Sequence, residues 1–175
     1  TSPSPIPLRF TAFPPAPATS PLGIGPDPVR LIDAYGREVW IAREELRTKV
    51  LPGNLRSQWS NPDALYGIIL GALEDGFDAD VVDAARRLHD IDPIRTRGAC
   101  IYAITLTRTG RLDEAERVLQ AHIREHGEEG VVLTNLAKVF AERDEEQKAE
   151  DTLWRALRAD PKRNAVGKNF VLGKT

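Results

Sequence analysis

The sequence has little cysteine, no excess of one charge sign and no long apolar run, and each deficit excludes a class of protein. Its single cysteine, Cys100, cannot form an internal disulfide, so a disulfide scaffold is excluded and a reducing, cytoplasmic location is expected. The 24 basic and 26 acidic residues nearly cancel, so neither nucleic acid nor a membrane surface is an expected partner. No apolar run approaches the roughly 18 residues that span a bilayer. No secretory signal is expected either.

Proline is abundant only at the start of the chain, where residues 1–28 hold nine of the 13 prolines. Because proline cannot donate a backbone hydrogen bond, this arm is predicted to form neither a helix nor a central strand. Two interpretations stay open: a disordered, partly polyproline II tail, or an arm that docks on this protein or a neighbour. The apolar anchors of a docking arm would be Ile6, Leu8, Phe10, Phe13 and Leu22.

Residues 29–61 are predicted to form a capping block. Two β-prone runs within residues 29–41 flank a turn sequence that ends in Gly36, which favours a β-hairpin. An isolated hairpin is marginally stable in water, so this one is expected to pack on the rest of the protein. A short helix is predicted over residues 42–50, with Pro52-Gly53 as its stop signal and a further helical turn beyond. The side chains expected to pack are Val39, Trp40 and Ile41.

A spacing of 34 residues recurs through the rest of the chain. Gly76 and Gly110 are 34 apart, Asp144 lies another 34 along, and Ala115 and Ala149 keep the same spacing. Such a period indicates a repeat architecture, in which stacked units bury one continuous core. The predicted units are residues 62–95, 96–129 and 130–163.

Each unit contains two apolar patterns of helical period around a central turn residue. Asn61 is a good helix N-cap, and Pro62 suits the first helical position. Small residues are expected where helices approach closely, with larger apolar residues between them. These small residues are Ala103, Ala115, Ala137, Ala149 and Ala156.

The repeated pattern resembles the tetratricopeptide repeat. Unit three carries the resemblance through Asn135-Leu136-Ala137, Ala149 and Asp160-Pro161, and unit two through residues 110–115. The resemblance implies an all-α fold, a right-handed solenoid of three helix-turn-helix repeats over residues 62–163. It also implies a concave face that binds proteins, with no enzyme activity and no cofactor. Departures from the family pattern are Val81, His122 and Gly127.

The flanking segments extend this resemblance. Residues 36–75 resemble the front end of larger bacterial proteins of this kind. Residues 164–175 look like the start of another first helix, too short to cover unit three. We therefore expect either a longer array or an end that docks on another subunit.

In this family the first helix of each repeat lines the concave face, which assigns the candidate contacts. The face is apolar at its centre and charged at its rim, so an apolar or proline-containing peptide suits it. The hairpin or the arm covering this face is an equally open interpretation. The predicted partner-binding residues are Tyr66, Leu70, Leu73, Arg97, Ile101, Ile104, Arg108, Asn135 and Lys138.

Three functions follow from these patterns. The leading hypothesis is a non-enzymatic adaptor that holds an extended peptide in the concave groove. The alternative is a structural subunit of an assembly, held by its arm and its C-terminal edge. A zinc hydrolase is less favoured: His122, Glu125 and His126 have metallopeptidase spacing, but no third ligand is identifiable.

A cluster of aspartates around Gly76 is a further candidate feature. It is interpreted as a solvated acidic edge, because acids also favour helix N-termini. A site for a basic partner or for Ca²⁺ is the alternative, although the spacing does not match an EF-hand loop. The aspartates are Asp75, Asp78, Asp80 and Asp83.

Overall fold

The computed structural model describes residues 27–32 and 35–160, which form two compact units that divide between Ala84 and Ala85. The predicted C-terminal segment and all but the last two residues of the predicted arm lie outside the described residues. The elements before the division are β1 (Pro28–Ile32), β2 (Glu38–Ala42), α1 (Arg43–Glu45), a π-helical turn (Leu46–Val50), α2 (Leu51–Ser57), α3 (Pro62–Glu74) and a 3₁₀ turn (Asp78–Val81). Helix α4 (Val82–Ile91) crosses it, and α5 (Arg95–Arg108), α6 (Leu112–His126), α7 (Gly130–Glu142) and α8 (Glu146–Ala159) follow.

Helices dominate the described residues, which confirms the predicted all-α class with its short hairpin. The arrangement is consistent with a tetratricopeptide-like fold. The right-handed sense and the 34-residue domain boundaries stay predictions. No helix within the described ranges is long and apolar enough to cross a membrane.

The predicted hairpin is present in the first unit. Strands β1 and β2 pair antiparallel, with Leu31 opposite Val39 and Arg30 opposite Trp40. The Arg30 guanidinium binds the Glu38 carboxylate at 2.6 Å, which links the two strands on one face. Of the three side chains expected to pack, only Ile41 is half-buried, and Val39 and Trp40 are exposed.

The stop predicted at Pro52-Gly53 is wrong, because α2 runs through both residues. The chain enters α2 from the π-helical turn, which places Pro52 in the first turn of the helix. There a missing N–H is tolerated, because the first N–H groups of a helix have no intrahelical partner. Burial of Leu46, Leu51 and Leu55 outweighs the cost of a helical glycine, which is about 1 kcal/mol.

The three turn residues spaced 34 apart have the same backbone conformation. Gly76 and Gly110 have φ of 75°, and Asp144 has φ of 60°. In each turn the residue after the turn residue donates its N–H to a carbonyl five positions earlier, the Schellman pattern that ends a helix. The bonds are Phe77 N–H to Ala72 O, Arg111 N–H to Leu106 O and Glu145 N–H to Phe140 O, at 2.8, 2.8 and 2.9 Å. The sequence period therefore corresponds to a repeated helix ending.

The core of the second unit lies between successive helices, as α5 packs on α6, α6 on α7, and α7 on α8. Leu106, Leu119 and Leu136 are fully buried there. The predicted small residues lie among them and allow the helices to approach closely. Those buried alanines are Ala103, Ala115, Ala137, Ala149 and Ala156.

Gly98 marks a close approach of α5 to the end of α4. A Cβ atom at Gly98 would lie 3.0 Å from the backbone Cα of His89, whereas one at Gly67 in α3 would meet nothing within 4 Å. Gly98→Ala should therefore destabilise the protein by about 1–2 kcal/mol through overpacking. Gly67→Ala, the matched control, should stabilise it by up to about 1 kcal/mol. Urea unfolding measures both changes, and equal stability of the two variants would contradict the prediction.

Candidate functional site

Helices α5 and α7 of the second unit lie side by side and run in the same direction. At the start of both helices, the Thr96 hydroxyl donates to the Glu129 carboxylate at 2.8 Å. One turn further along, the Asn135 amide lies against the Cys100 thiol. Because both contacts advance together along the two helices, α5 and α7 are parallel.

Two stripes of side chains follow the adjacent faces of these helices. The positions in each stripe advance by four, three and four residues, which keeps them on one side of an α-helix. The two sets are 34 residues apart, so each α5 position has an equivalent in α7. We call them the inner stripes: Arg97, Ile101, Ile104 and Arg108 in α5, and Val131, Asn135, Lys138 and Glu142 in α7.

The inner stripes combine apolar and cationic surface. Ile104 is half-buried, and Val131 is 53% exposed. Arg108 and Lys138 are exposed at the same end as Glu142. The stripes can therefore offer two apolar contacts and a charged end to an extended chain.

Two of the residues predicted to bind a partner are buried. Ile101 in α5 is 5% exposed, and Leu73 in α3 is 4% exposed. Leu73 follows Leu65 and Ile69 on the buried side of α3, where it packs as a core residue. Tyr66 and Leu70, also in α3, are half-buried and stay predicted contacts.

Arg97 is held by a buried acid. Its Nε and Nη2 atoms donate to the two carboxylate oxygens of Asp92 at 2.7 and 2.9 Å. Asp92 is fully buried and also accepts the Ile94 N–H at 2.9 Å, which closes the turn before α5. This bidentate pair fixes the start of α5, so Arg97 has a structural role whether or not it contacts a partner.

Glu129 joins three helices, a role that the sequence analysis did not identify. Its carboxylate accepts from Thr96 of α5 and lies 2.9 Å from Nε2 of His122 in α6, and the residue itself precedes α7. The His122 hydrogen bond, followed by that from Thr96, holds the pKa of Glu129 below its ordinary value. An acid just before a helix is a general sequence signal, but it does not reveal these partners.

The metallopeptidase-like motif is arranged differently from a metal site. His122 is 6% exposed and bonds Glu129 rather than Glu125, while its ring packs 4.6 Å from that of His126. Glu125 lies 3.8 Å from His126. Within residues 27–32 and 35–160, no group of three or more histidine, cysteine or acidic side chains could hold a metal ion.

The Cys100 thiol is buried beneath the inner stripes. Burial raises the pKa of Cys100 to about 11, so the thiol is neutral at physiological pH. A neutral, buried thiol is a poor nucleophile. Cys100 therefore contributes packing to this site.

The predicted acidic edge of the first unit is partly used to hold the capping block. The Asp80 carboxylate accepts from Arg47 at 2.8 Å, and the Arg43 guanidinium lies 4.9 Å from the centre of the Phe77 ring. Burial raises the pKa of Asp75, and the nearby charge of Arg43 opposes that rise. These contacts join the π-helical region to the turn that follows α3.

Comparisons with known proteins show a shared fold. No family model and no curated protein matches the sequence. MamA 41-end from Desulfovibrio magneticus RS-1 superposes with a TM-score of 0.51 at 17% identity, covering 69% of this chain and 67% of that chain. The MamA RS-1 ArsTM double mutant gives a TM-score of 0.50 with the same identity and coverage. At this identity the likeness concerns the fold alone.

Proposed function

We propose that this protein is a non-enzymatic interaction scaffold that holds an extended partner segment along the inner stripes of α5 and α7. The observation that carries the proposal is the parallel pairing of α5 and α7, with half-buried Ile104 and exposed Val131 on their adjacent stripes. Extended peptides gain affinity when apolar side chains enter such surfaces. The helical fold shared with MamA supports a scaffold role. The neutral Cys100 thiol supports a non-enzymatic one.

A capture experiment with charge-insertion variants tests this proposal. Ile104→Glu and Val131→Glu each place a carboxylate on the inner stripes, and an anchor residue in an interface commonly contributes enough to change affinity about tenfold or more. Ile94→Glu is the matched control, because Ile94 has the same 53% exposure as Val131 but precedes α5. Lysate proteins retained by each purified bait would be quantified by mass spectrometry.

We expect a partner that wild type and Ile94→Glu capture equally and that both stripe variants lose. Val131→Glu protects the test against misfolding, because its side chain is exposed and an acid near a helix N-terminus is favourable. Circular dichroism would confirm equal helicity of the four proteins. Equal capture by all four would reject the inner stripes as the binding surface.

A further inference from the structure

The first helices of the second unit carry an excess of positive charge. Helix α5 contains three arginines and no acidic residue, and α7 contains one lysine and one glutamate. Helix α6 has the opposite bias, with four acidic residues and two arginines. The basic residues of α5 and α7 are Arg95, Arg97, Arg108 and Lys138.

Part of this charge is already neutralised within the protein. Arg97 is paired with Asp92, and the Glu129 carboxylate is occupied by Thr96 and His122. The cations exposed on the inner stripes are therefore Arg108 and Lys138, with Glu142 as the acid of that surface.

The parallel register places these cations around the apolar position Ile104. Cys100 of α5 lies against Asn135 of α7, and one further turn along each helix brings Ile104 level with Lys138. Arg108 follows Ile104 by one turn on the same stripe. An apolar contact is thus flanked by a cation on its own helix and by another on the neighbouring helix.

Burial of Ile101 shifts the expected ligand away from a purely apolar peptide. With Ile101 in the core, Ile104 is the less buried of the two isoleucines in the α5 stripe, and its α7 equivalents are polar or charged apart from Val131. Such a surface satisfies a ligand that supplies carboxylates beside an apolar side chain.

We infer that the inner stripes bind an extended acidic segment, with an apolar side chain against Ile104 and carboxylates near Arg108 and Lys138. This inference rests on the proposed function, since it names the chemistry of the partner held by the same surface. Affinity for such a segment should fall as salt concentration rises, because the cations are exposed.

A random dodecapeptide library displayed on phage tests the inference with the full chain as bait. Peptides would be selected on wild type and counter-selected on Ile104→Asn, which alters the surface without changing its charge. Fluorescence anisotropy would then measure selected peptides on Lys138→Glu and Glu142→Gln. Reversal of the lysine charge should weaken binding about tenfold, and neutralisation of Glu142 should strengthen it.

Each result decides between the two proposals. Ile104-dependent peptides that are rich in aspartate and glutamate, with the stated responses of both charge variants, would support the inference. Ile104-dependent peptides that are neutral or basic would overturn the acidic specificity and leave the scaffold function standing. If no selected peptide depends on Ile104, both the acidic specificity and the peptide-binding role of the inner stripes are rejected.

Discussion

Replacement of Asp92 by alanine is expected to lower the free energy of unfolding by about 3–5 kcal/mol. Asp92 is fully buried, and its partner Arg97 is only 17% exposed in its side chain. Removal of the carboxylate leaves the guanidinium without its bidentate partner in a poorly hydrated position. The substitution also removes the acceptor of the Ile94 N–H, so the turn before α5 loses a closing hydrogen bond.

The matched control is Asp90→Ala, which removes an exposed carboxylate two residues earlier in α4. It should change stability by no more than about 0.5 kcal/mol. Urea unfolding followed by circular dichroism measures both variants. The double variant Asp92→Ala/Arg97→Ala should be less destabilised than the sum of its single changes, because neither charge is then left unpaired. A loss below 1 kcal/mol for Asp92→Ala would show that the pair is not a major source of stability.

The second large effect is expected at Glu129. Glu129→Ala removes the partner of the buried His122 ring and of the Thr96 hydroxyl, and it should cost about 1–3 kcal/mol. The adjacent Glu128→Ala is the control, since Glu128 forms a surface ion pair with Arg155 worth at most about 1 kcal/mol. Equal losses at the two positions, measured by urea unfolding, would contradict the role of Glu129 as a link between α5, α6 and α7.

Acid should abolish much of the stability that Glu129 provides. In the folded protein the pKa of Glu129 lies below its ordinary value of about 4.5, mainly because of the His122 hydrogen bond. A carboxyl group with a lowered pKa stabilises the fold above its unfolded pKa, and this contribution is lost as the pH falls through the folded pKa. The stability difference between wild type and Glu129→Gln should therefore shrink between pH 7 and about pH 3.5. A difference that is constant with pH would refute this account.

Local sequence features predicted the helix endings well. Gly76 and Gly110 adopt a positive φ that glycine reaches without steric cost, and Asp144 takes the same role at the third position. Asn61 caps α3 as expected, accepting the Ala64 N–H at 3.2 Å. These features depend on a few neighbouring residues, so the sequence contains them. Pro52 shows the limit of local reasoning, because a preceding π-helical turn and buried leucines carry the helix through it.

The candidate site was only partly predictable. The 34-residue phase selected the equivalent positions in α5 and α7, and the structure brings those helices together. It did not separate Ile101, which is buried, from Ile104, which is half-buried. Exposure depends on how each helix is rotated against its neighbours, and adjacent residues of a helix differ by only about 100° around its axis.

The sequence by itself therefore determined the period, the turns and the alternation of helices, because backbone sterics and apolar spacing act over a few residues. Only the tertiary structure decided that Asp92 and Arg97 form a buried pair, and that His122 bonds Glu129 instead of sharing a metal with His126. These outcomes depend on which side chains are desolvated together when helices pack. Desolvation is a property of the assembled core, and a spacing pattern in the chain does not contain it.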